Sequence, residues 1–329
     1  MKRICLGLLV LCVLFGACKS DKKKEPVTTI EPATSVALLP FDADSAYSFV
    51  AAQTAFGPRV PNSEAHKACA DYLIQKMSEY CDTVIAQRFI ATTYDGNRLA
   101  AVNIISSFAP EKKNRILLGA HWDSRHIADH DPNTENRDNP IDGANDGASG
   151  VGVLMELARQ LQLANPEVGV DIIFFDAEDY GTPNSEDIPG DWWCLGSQYW
   201  AKNKHRADYQ AEFGILLDMV GAANATFYHE GVSARYANPY LSKVWGVANK
   251  LGYGAYFINK ASNPVTDDHY YINTMAKIPM INIIHQDMNG NTGFFPYWHT
   301  TQDNINIIDK HTLFVVGQTL MHVILEFKP

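Results

Sequence analysis

The sequence predicts an α/β protein of three layers, α/β/α, built around a central, largely parallel mixed sheet. Three observations support this prediction. Short apolar runs alternate with amphipathic segments along most of the 329 residues, the runs at 116–120 and 172–175 contain no polar side chain, and no repeat or low-complexity stretch interrupts the alternation after residue 40. Near-continuous apolar strands are typical of parallel sheets that are covered by helices on both faces.

The individual elements follow from the spacing of the apolar residues. A helix is predicted at 63–80, because Ser63 can cap it and apolar residues then recur at helical spacing. In chain order, further strands are predicted at 99–108, 114–124, 168–179, 212–221, 225–230 (a short edge strand) and 278–286, and further helices at 147–162, 196–205, 238–252 and 310–327.

The first 18 residues are not expected to belong to the fold. Two basic residues precede an apolar run that ends at Phe15, and small residues then lead to Cys18. This order is typical of a secretory signal peptide, and the run is short for a membrane span. Since small residues before a cysteine resemble a bacterial lipobox, we expect cleavage after residue 17 and a lipid on Cys18; a plain cleaved signal is the alternative.

Residues 18–40 are polar and contain proline, so they are predicted to form a tether, and residues 41–329 to form a single α/β domain. The lipid would anchor the protein to a membrane of the bacterial cell envelope, where we expect it to face the periplasm. The formal charge of −10 argues against a nucleic-acid partner. The cysteines of the domain show no paired spacing, which excludes a thiolate zinc site by pattern. We expect a monomer.

Acidic and histidine side chains follow several of the predicted strands. In sheets of this class, ligands bind at the carboxyl ends of the strands, and carboxylates together with imidazoles suit Zn²⁺. The residues at or after these strand ends are His121, Asp123, Asp142, Asp146, Asp176, Glu178, Asp179, Asp218, His285 and His299.

Each candidate also has an ordinary structural interpretation. Asp146 could cap the helix that follows it, Asp218 could cap a turn, and the adjacent acids Glu178 and Asp179 could lie in a solvated loop. His299 could be a hydrogen-bonded loop histidine. These interpretations are each acceptable alone, but all of them would have to hold at once.

The order of motifs, HWD, DGANDGASGVGVLMELAR, FFDAED, LLDMVG and WHTTQDN, resembles the zinc-dependent exopeptidase-like fold. It is more closely similar to the animal-type glutaminyl cyclases of that fold. The resemblance runs from about Ala51 to the C-terminus. Its specific parts are FGPRVPNS, FFDAED, TDDHYYI and WHTTQDN, whereas DGASG alone indicates only the broader fold.

The resemblance implies one zinc ion per chain, bound by Asp146, Asp179 and His299. It implies that Glu178 is the general acid/base. A further pair of acids, joined by a short hydrogen bond beside the substrate, would be Asp218 and Asp267.

The resemblance also implies that Trp193 and Trp298 line the substrate pocket. The loop before Trp193 differs in length from that of the animal enzymes, which weakens this match. The chain departs again at Asn282, where the animal enzymes carry histidine, so a supporting role cannot be transferred to that position.

The implied reaction converts an N-terminal glutamine into pyroglutamate with release of ammonia. Zinc would polarise the γ-carbonyl, and Glu178 would move a proton from the α-amine to the leaving nitrogen. Expected substrates are peptides and exported proteins that begin with glutamine, with weak preference beyond the first residue.

Two other functions stay open. A two-zinc aminopeptidase would use His121 and Asp218 for a second metal that Asp146 bridges, so the ligands alone do not distinguish the two enzymes. Two features belong to the cyclase pattern and favour the cyclase: Trp298 directly before His299, and the adjacent acids Asp267 and Asp268 before His269. A non-catalytic binding module is the second alternative; such proteins typically lose ligands, which are all present here.

Overall fold

The computed structural model describes residues 40–164, 166–183 and 188–328. The predicted signal peptide, Cys18 with its predicted lipid, and all but the last residue of the predicted tether lie outside the described residues. No helix in the described part of the chain is long and apolar enough to cross a membrane.

The helices and strands alternate through most of the domain. The helices are α1 (Ala43–Thr54), α2 (Glu64–Tyr80), α3 (Ala148–Ala164), α4 (Leu195–Lys202), α5 (Gly231–Lys250), α6 (Asp268–Tyr271) and α7 (Lys310–Leu325). The strands are β1 (Thr83–Thr92), β2 (Arg98–Phe108), β3 (Arg115–His121), β4 (Gly169–Phe175), β5 (Phe213–Asp218), β6 (Phe227–His229), β7 (Phe257–Ala261) and β8 (Met280–Ile284).

The main sheet is mixed and largely parallel, as predicted. Its strand order is β1-β2-β4-β3-β5-β8. The neighbours β4, β3, β5 and β8 run parallel, whereas β2 pairs antiparallel with both β1 and β4. Strands β6 and β7 form a separate parallel pair. Because β3, β4, β5 and β8 point the same way, their carboxyl ends share one edge of the sheet.

The two faces of the sheet bury different side chains, which gives the three layers. Along β3, Ile116 and Leu118 pack in the larger core, together with residues of α1, α2, α3, α5 and α7. Leu117 points to the opposite face and packs with Trp200 of α4 and Ile272 beyond α6. This alternation is the period-two geometry of a strand. The predicted three-layer α/β/α class is therefore confirmed.

Several elements escaped the sequence pattern for identifiable reasons. Strand β1 lies at the sheet edge and exposes most of its residues, so it has no apolar run. Helix α1 buries small residues such as Ala46, and its cap, Asp42, accepts hydrogen bonds from two backbone N–H groups. Helix α5 begins at Gly231 and is kinked at Ala237, ahead of Pro239; the predicted start at residue 238 therefore captured only the part after the kink.

Candidate active site

The shared edge of the parallel strands carries the candidate active site. His121 ends β3 and Asp218 ends β5, while Glu178 and Asp179 follow closely after β4. Asp146 precedes α3. All five side chains are buried, so the interpretation of the acids as solvated loop residues is wrong.

Asp146, Asp179 and His299 meet at one point. One ligand atom from each lies within 4.8 Å of the other two. His299 Nε2 is 3.2 Å from Asp179 Oδ1 and 3.8 Å from Asp146 Oδ2. The Oδ2 atoms of both aspartates are buried without a hydrogen-bond donor. Buried, unpaired carboxylate oxygens are costly unless a cation compensates them. The donor set therefore fits a zinc ion.

Two buried aspartates hold the loops that carry these candidate ligands. Asp123 accepts hydrogen bonds from the backbone N–H groups of Glu178 and Asp179, at 3.1 Å each. Asp303 does the same for Asn145 and Asp146, at 2.8 and 3.0 Å. Each carboxylate thus fixes two consecutive backbone amides, so the ligands are positioned from the main chain outward.

A third aspartate contacts the candidate histidine ligand. Asp129 Oδ1 lies 3.2 Å from His299 Nδ1, close enough for charge pairing although the ring is not aligned as an ideal hydrogen-bond donor. Arg125 binds the same carboxylate through Nε and Nη2, at 2.8 Å each. Burial opposes ionisation, but the contacts with His299 and Arg125 lower the pKa of Asp129. A carboxylate behind a ligating histidine fixes its ring and raises its basicity.

A second ligand cluster lies beside the first. His121, Asp146 and Asp218 also offer ligand atoms within 4.8 Å of one another. His121 Nε2 is 3.0 Å from Asp146 Oδ1 and 3.4 Å from Asp218 Oδ1. Gly147 is needed here, because a Cβ would come within 2.6 Å of the His121 ring. The residues expected to bind the second metal of a two-zinc aminopeptidase are therefore close together as well.

Glu178 belongs to neither of these two ligand clusters. It follows Ala177, whose φ of +53° turns the chain sharply at the end of β4. Cys194 Sγ donates a hydrogen bond to Glu178 Oε1 at 3.0 Å. Burial raises the pKa of Glu178 well above its ordinary value, and the charges of Asp267 and Asp179 add to this effect. A raised pKa suits a carboxyl group that accepts and returns a proton.

The other two predicted catalytic acids, Asp218 and Asp267, line one cavity together with Glu178. Burial and the charges of Asp146 and Asp267 raise the pKa of Asp218 to about 8. Asp267 accepts hydrogen bonds from the Asp268 backbone N–H and from Asn282 Nδ2, the latter at 2.6 Å. Neither bond involves Asp218, so in this structure the two acids interact through charge. Asn282 therefore has a partner in the site, which the resemblance alone could not assign.

A small cavity reaches these acids between two tryptophans. Its volume is about 60 Å³, and Trp193 and Trp298 line it together with Asp146, Glu178 and Asp179. This volume holds on the order of four to six water-sized groups. That number is close to the number of heavy atoms in one glutamine side chain.

Both indoles are fixed by their neighbours. Trp298 stacks on His299 at 3.7 Å between centroids. The Arg125 guanidinium lies 4.7 Å over the Trp193 ring. Gly181 leaves the room that Trp193 occupies, since a Cβ there would come within 2.0 Å of the ring.

Three of the strand-end candidates serve elsewhere. Asp176 Oδ1 lies 2.9 Å from His66 Nε2, and its other oxygen accepts from the Val102 backbone N–H. His285 stacks near Phe295. The Asp142 carbonyl accepts from the buried Arg59 guanidinium. These are structural roles, so not every polar strand end contributes to the site.

Sequence reasoning assigned no role in the site to Arg125, Asp129, Cys194 or Asp303. Arg125 and Asp129 pair with each other across four positions, but the contacts of all four residues with the site join segments that are far apart in the chain. The one sequence feature that could have placed any of them in the site is the position of Cys194 directly after Trp193.

Comparisons with known proteins agree with this geometry. The profile of peptidase family M28 matches residues 103–324. The Tannerella forsythia glutaminyl cyclase structure is 52% identical and matches with a TM-score of 0.87, covering 88% of this chain and 100% of that one. A Zn-dependent exopeptidase structure from Parabacteroides distasonis is 54% identical, with the same coverage and TM-score.

Among curated proteins, the Drosophila melanogaster glutaminyl-peptide cyclotransferase is 25% identical over 283 residues, which are 78% of this chain and 73% of that protein. The predicted resemblance to glutaminyl cyclases of the zinc-exopeptidase-like fold is thus confirmed. The chain belongs to peptidase family M28.

Proposed function

We propose that this chain is a glutaminyl-peptide cyclotransferase, which converts N-terminal glutamine to pyroglutamate and releases ammonia. The observation that carries the proposal is the cavity of about 60 Å³, which leads between Trp193 and Trp298 to Glu178 and the buried ligand cluster. A site of this size admits one side chain, whereas the rest of a polypeptide stays outside it. The 52% identity to a glutaminyl cyclase supports the same function.

In the proposed reaction, the α-nitrogen bonds to the carbonyl carbon of the γ-carboxamide (Cδ) as the bond from that carbon to the amide nitrogen breaks. Glu178 takes a proton from the α-nitrogen and returns it to the amide nitrogen, which leaves as ammonia. Its buried carboxyl suits both halves of this transfer because its pKa is raised. Nucleophile and electrophile belong to one residue, so confinement by the two tryptophans favours ring closure.

Asp146, Asp179 and His299 would hold a single zinc ion. When bound, this ion would polarise the γ-carbonyl and stabilise the negative charge that develops on its oxygen. Trp193 and Trp298 would exclude water from the reacting atoms. Asp218 and Asp267, at the side of the cavity, would bind the α-amine.

A two-zinc aminopeptidase is the second candidate, and the cluster of His121, Asp146 and Asp218 favours it. An experiment with a glutamine-initiated peptide separates the two enzymes. The cyclase yields a peptide of unchanged length whose N-terminus no longer reacts with amine reagents. The aminopeptidase yields a shortened peptide with a reactive amine. The second result would overturn the proposed function.

We also propose that Cys18 carries a lipid that anchors a monomeric enzyme in the bacterial cell envelope, facing the periplasm. Its substrates there would be exported proteins whose processing leaves glutamine first. The order of basic, apolar and small residues before Cys18 supports this proposal. Comparison of envelope-protein N-termini with and without the enzyme tests it, and unchanged N-termini would refute the substrate assignment.

A further inference from the structure

A second, larger cavity adjoins the active-site cavity. Its volume is about 610 Å³, within the range of about 300–1,000 Å³ that is usual for ligand sites. Five residues line both cavities, namely Trp193, Val265, Thr266, Phe294 and Trp298. The larger cavity, here called the outer groove, is therefore continuous with the mouth of the smaller one.

The outer groove has an uncharged lining. None of the described residues that line it is acidic, basic or histidine, although the chain carries 37 acidic and 27 basic residues. Its polar groups are amides and hydroxyls, such as those of Asn263, Gln286 and Thr292. Its apolar part includes Phe294 and Met288, and Met288 is 47% exposed.

The small cavity holds one side chain, so the polypeptide that follows must leave through its mouth, where the outer groove begins. We propose that the outer groove binds the residue after the N-terminal glutamine and favours an uncharged, apolar side chain there. This inference rests on the proposed cyclase function. It revises the expectation that preference beyond the first residue is weak.

The physical basis of this preference is the burial of Met288 and Phe294 by the bound side chain. An apolar side chain laid on them removes apolar surface from water on both partners. A charged side chain in the same place loses hydration and meets no opposite charge in the lining. Both signs of charge should therefore be disfavoured, whereas the net charge of the whole chain would favour lysine over aspartate.

The test compares kcat/KM for ammonia release from glutamine amide and from the dipeptide amides Gln-Leu, Gln-Asp and Gln-Lys. We expect Gln-Leu to exceed both charged dipeptides by about fivefold. Met288→Ala should lower kcat/KM for Gln-Leu by about threefold through KM, and leave glutamine amide unchanged.

Leu163→Ala, which shortens another exposed apolar side chain (66% exposed) outside both cavities, is the matched control and should change none of these values. Equal turnover of the three dipeptides, or a loss in Met288→Ala that is the same for glutamine amide, would overturn the inference. Absence of ammonia from every substrate would instead refute the proposed function.

Discussion

Cys194 contacts Glu178 twice: its backbone N–H donates to the Glu178 carbonyl at 2.9 Å, and its thiol donates to Oε1 at 3.0 Å. Cys194 itself sits at a φ of +57°, directly after the pocket residue Trp193. The two bonds fix both the main chain and the carboxyl group of the proposed acid/base. The loop that forms the pocket wall thereby also orients the carboxylate.

Replacement of Cys194 should reveal this orienting role. Cys194→Ala removes the donor to Glu178, so we expect kcat to fall about fivefold, the effect of a bond worth about 1 kcal/mol. KM and zinc content should not change. Cys194→Ser keeps a donor and should restore most of kcat. Equal losses in both variants would indicate a packing role instead.

Substitutions of Glu178 and Asp179 should distinguish loss of catalysis from loss of metal binding. Glu178→Gln keeps the shape of the side chain but cannot take a proton, so kcat should fall by about 10²- to 10⁴-fold with zinc retained. Asp179→Ala should lose zinc. Elemental analysis of the metal content per chain, combined with an activity assay, checks both predictions. Glu64→Gln, at an exposed position, is the control. Full activity in Glu178→Gln would refute the mechanism.

Asp129 should tune zinc affinity without touching the ion. Asp129→Asn removes the charge behind His299 Nδ1, and we expect zinc to bind about 10- to 100-fold more weakly. Competition against a chelator measures this. Asp138→Asn, in an exposed part of the same loop, is the control. Unchanged affinity in Asp129→Asn would show that the Asp129 charge does not strengthen zinc binding through His299.

Because of Glu230, the free energy of unfolding should depend on pH in the acidic range. Its buried carboxylate accepts from the backbone N–H groups of Val232, Ser233 and Val265, and lies 2.9 Å from His269 Nε2. Burial alone would raise its pKa, but the contact with His269 and the N–H groups lower it from 4.5 to about 2. The stabilisation, roughly 3 kcal/mol, is full above the unfolded-state pKa and is lost as the pH falls towards 2.

Urea unfolding of wild type and Glu230→Gln between about pH 6 and pH 2 measures this contribution. The free-energy gap between the two proteins should shrink as the pH falls through this interval. A gap that stays constant would contradict the account of Glu230.

The parts of the site that sequence could predict are those fixed by sheet geometry. Parallel strands must bring His121, Glu178, Asp179 and Asp218 to one edge, because their carboxyl ends coincide. The period of the apolar residues likewise predicted helices α2, α3, α4 and α7, the later part of α5, and the central strands. The roles of Asp146, His299 and the two tryptophans came from the resemblance, and they are still predictions.

The remaining features depend on contacts that only the folded chain creates. The thiol of Cys194 reaches Glu178 across 16 positions, and Asp303 reaches Asn145 across 158. Neither pair leaves a periodic pattern. Strand β1 was missed because an exposed edge strand needs no apolar run.

The most direct test of the central claim is to quantify ammonia and free amino acids in one reaction of the zinc-loaded protein with a glutamine-initiated peptide. We expect one ammonia for each peptide converted, no free amino acid, and a rate of ammonia release from Glu178→Gln that is lower by about 10²- to 10⁴-fold. Free glutamine and a shortened peptide would contradict the central claim.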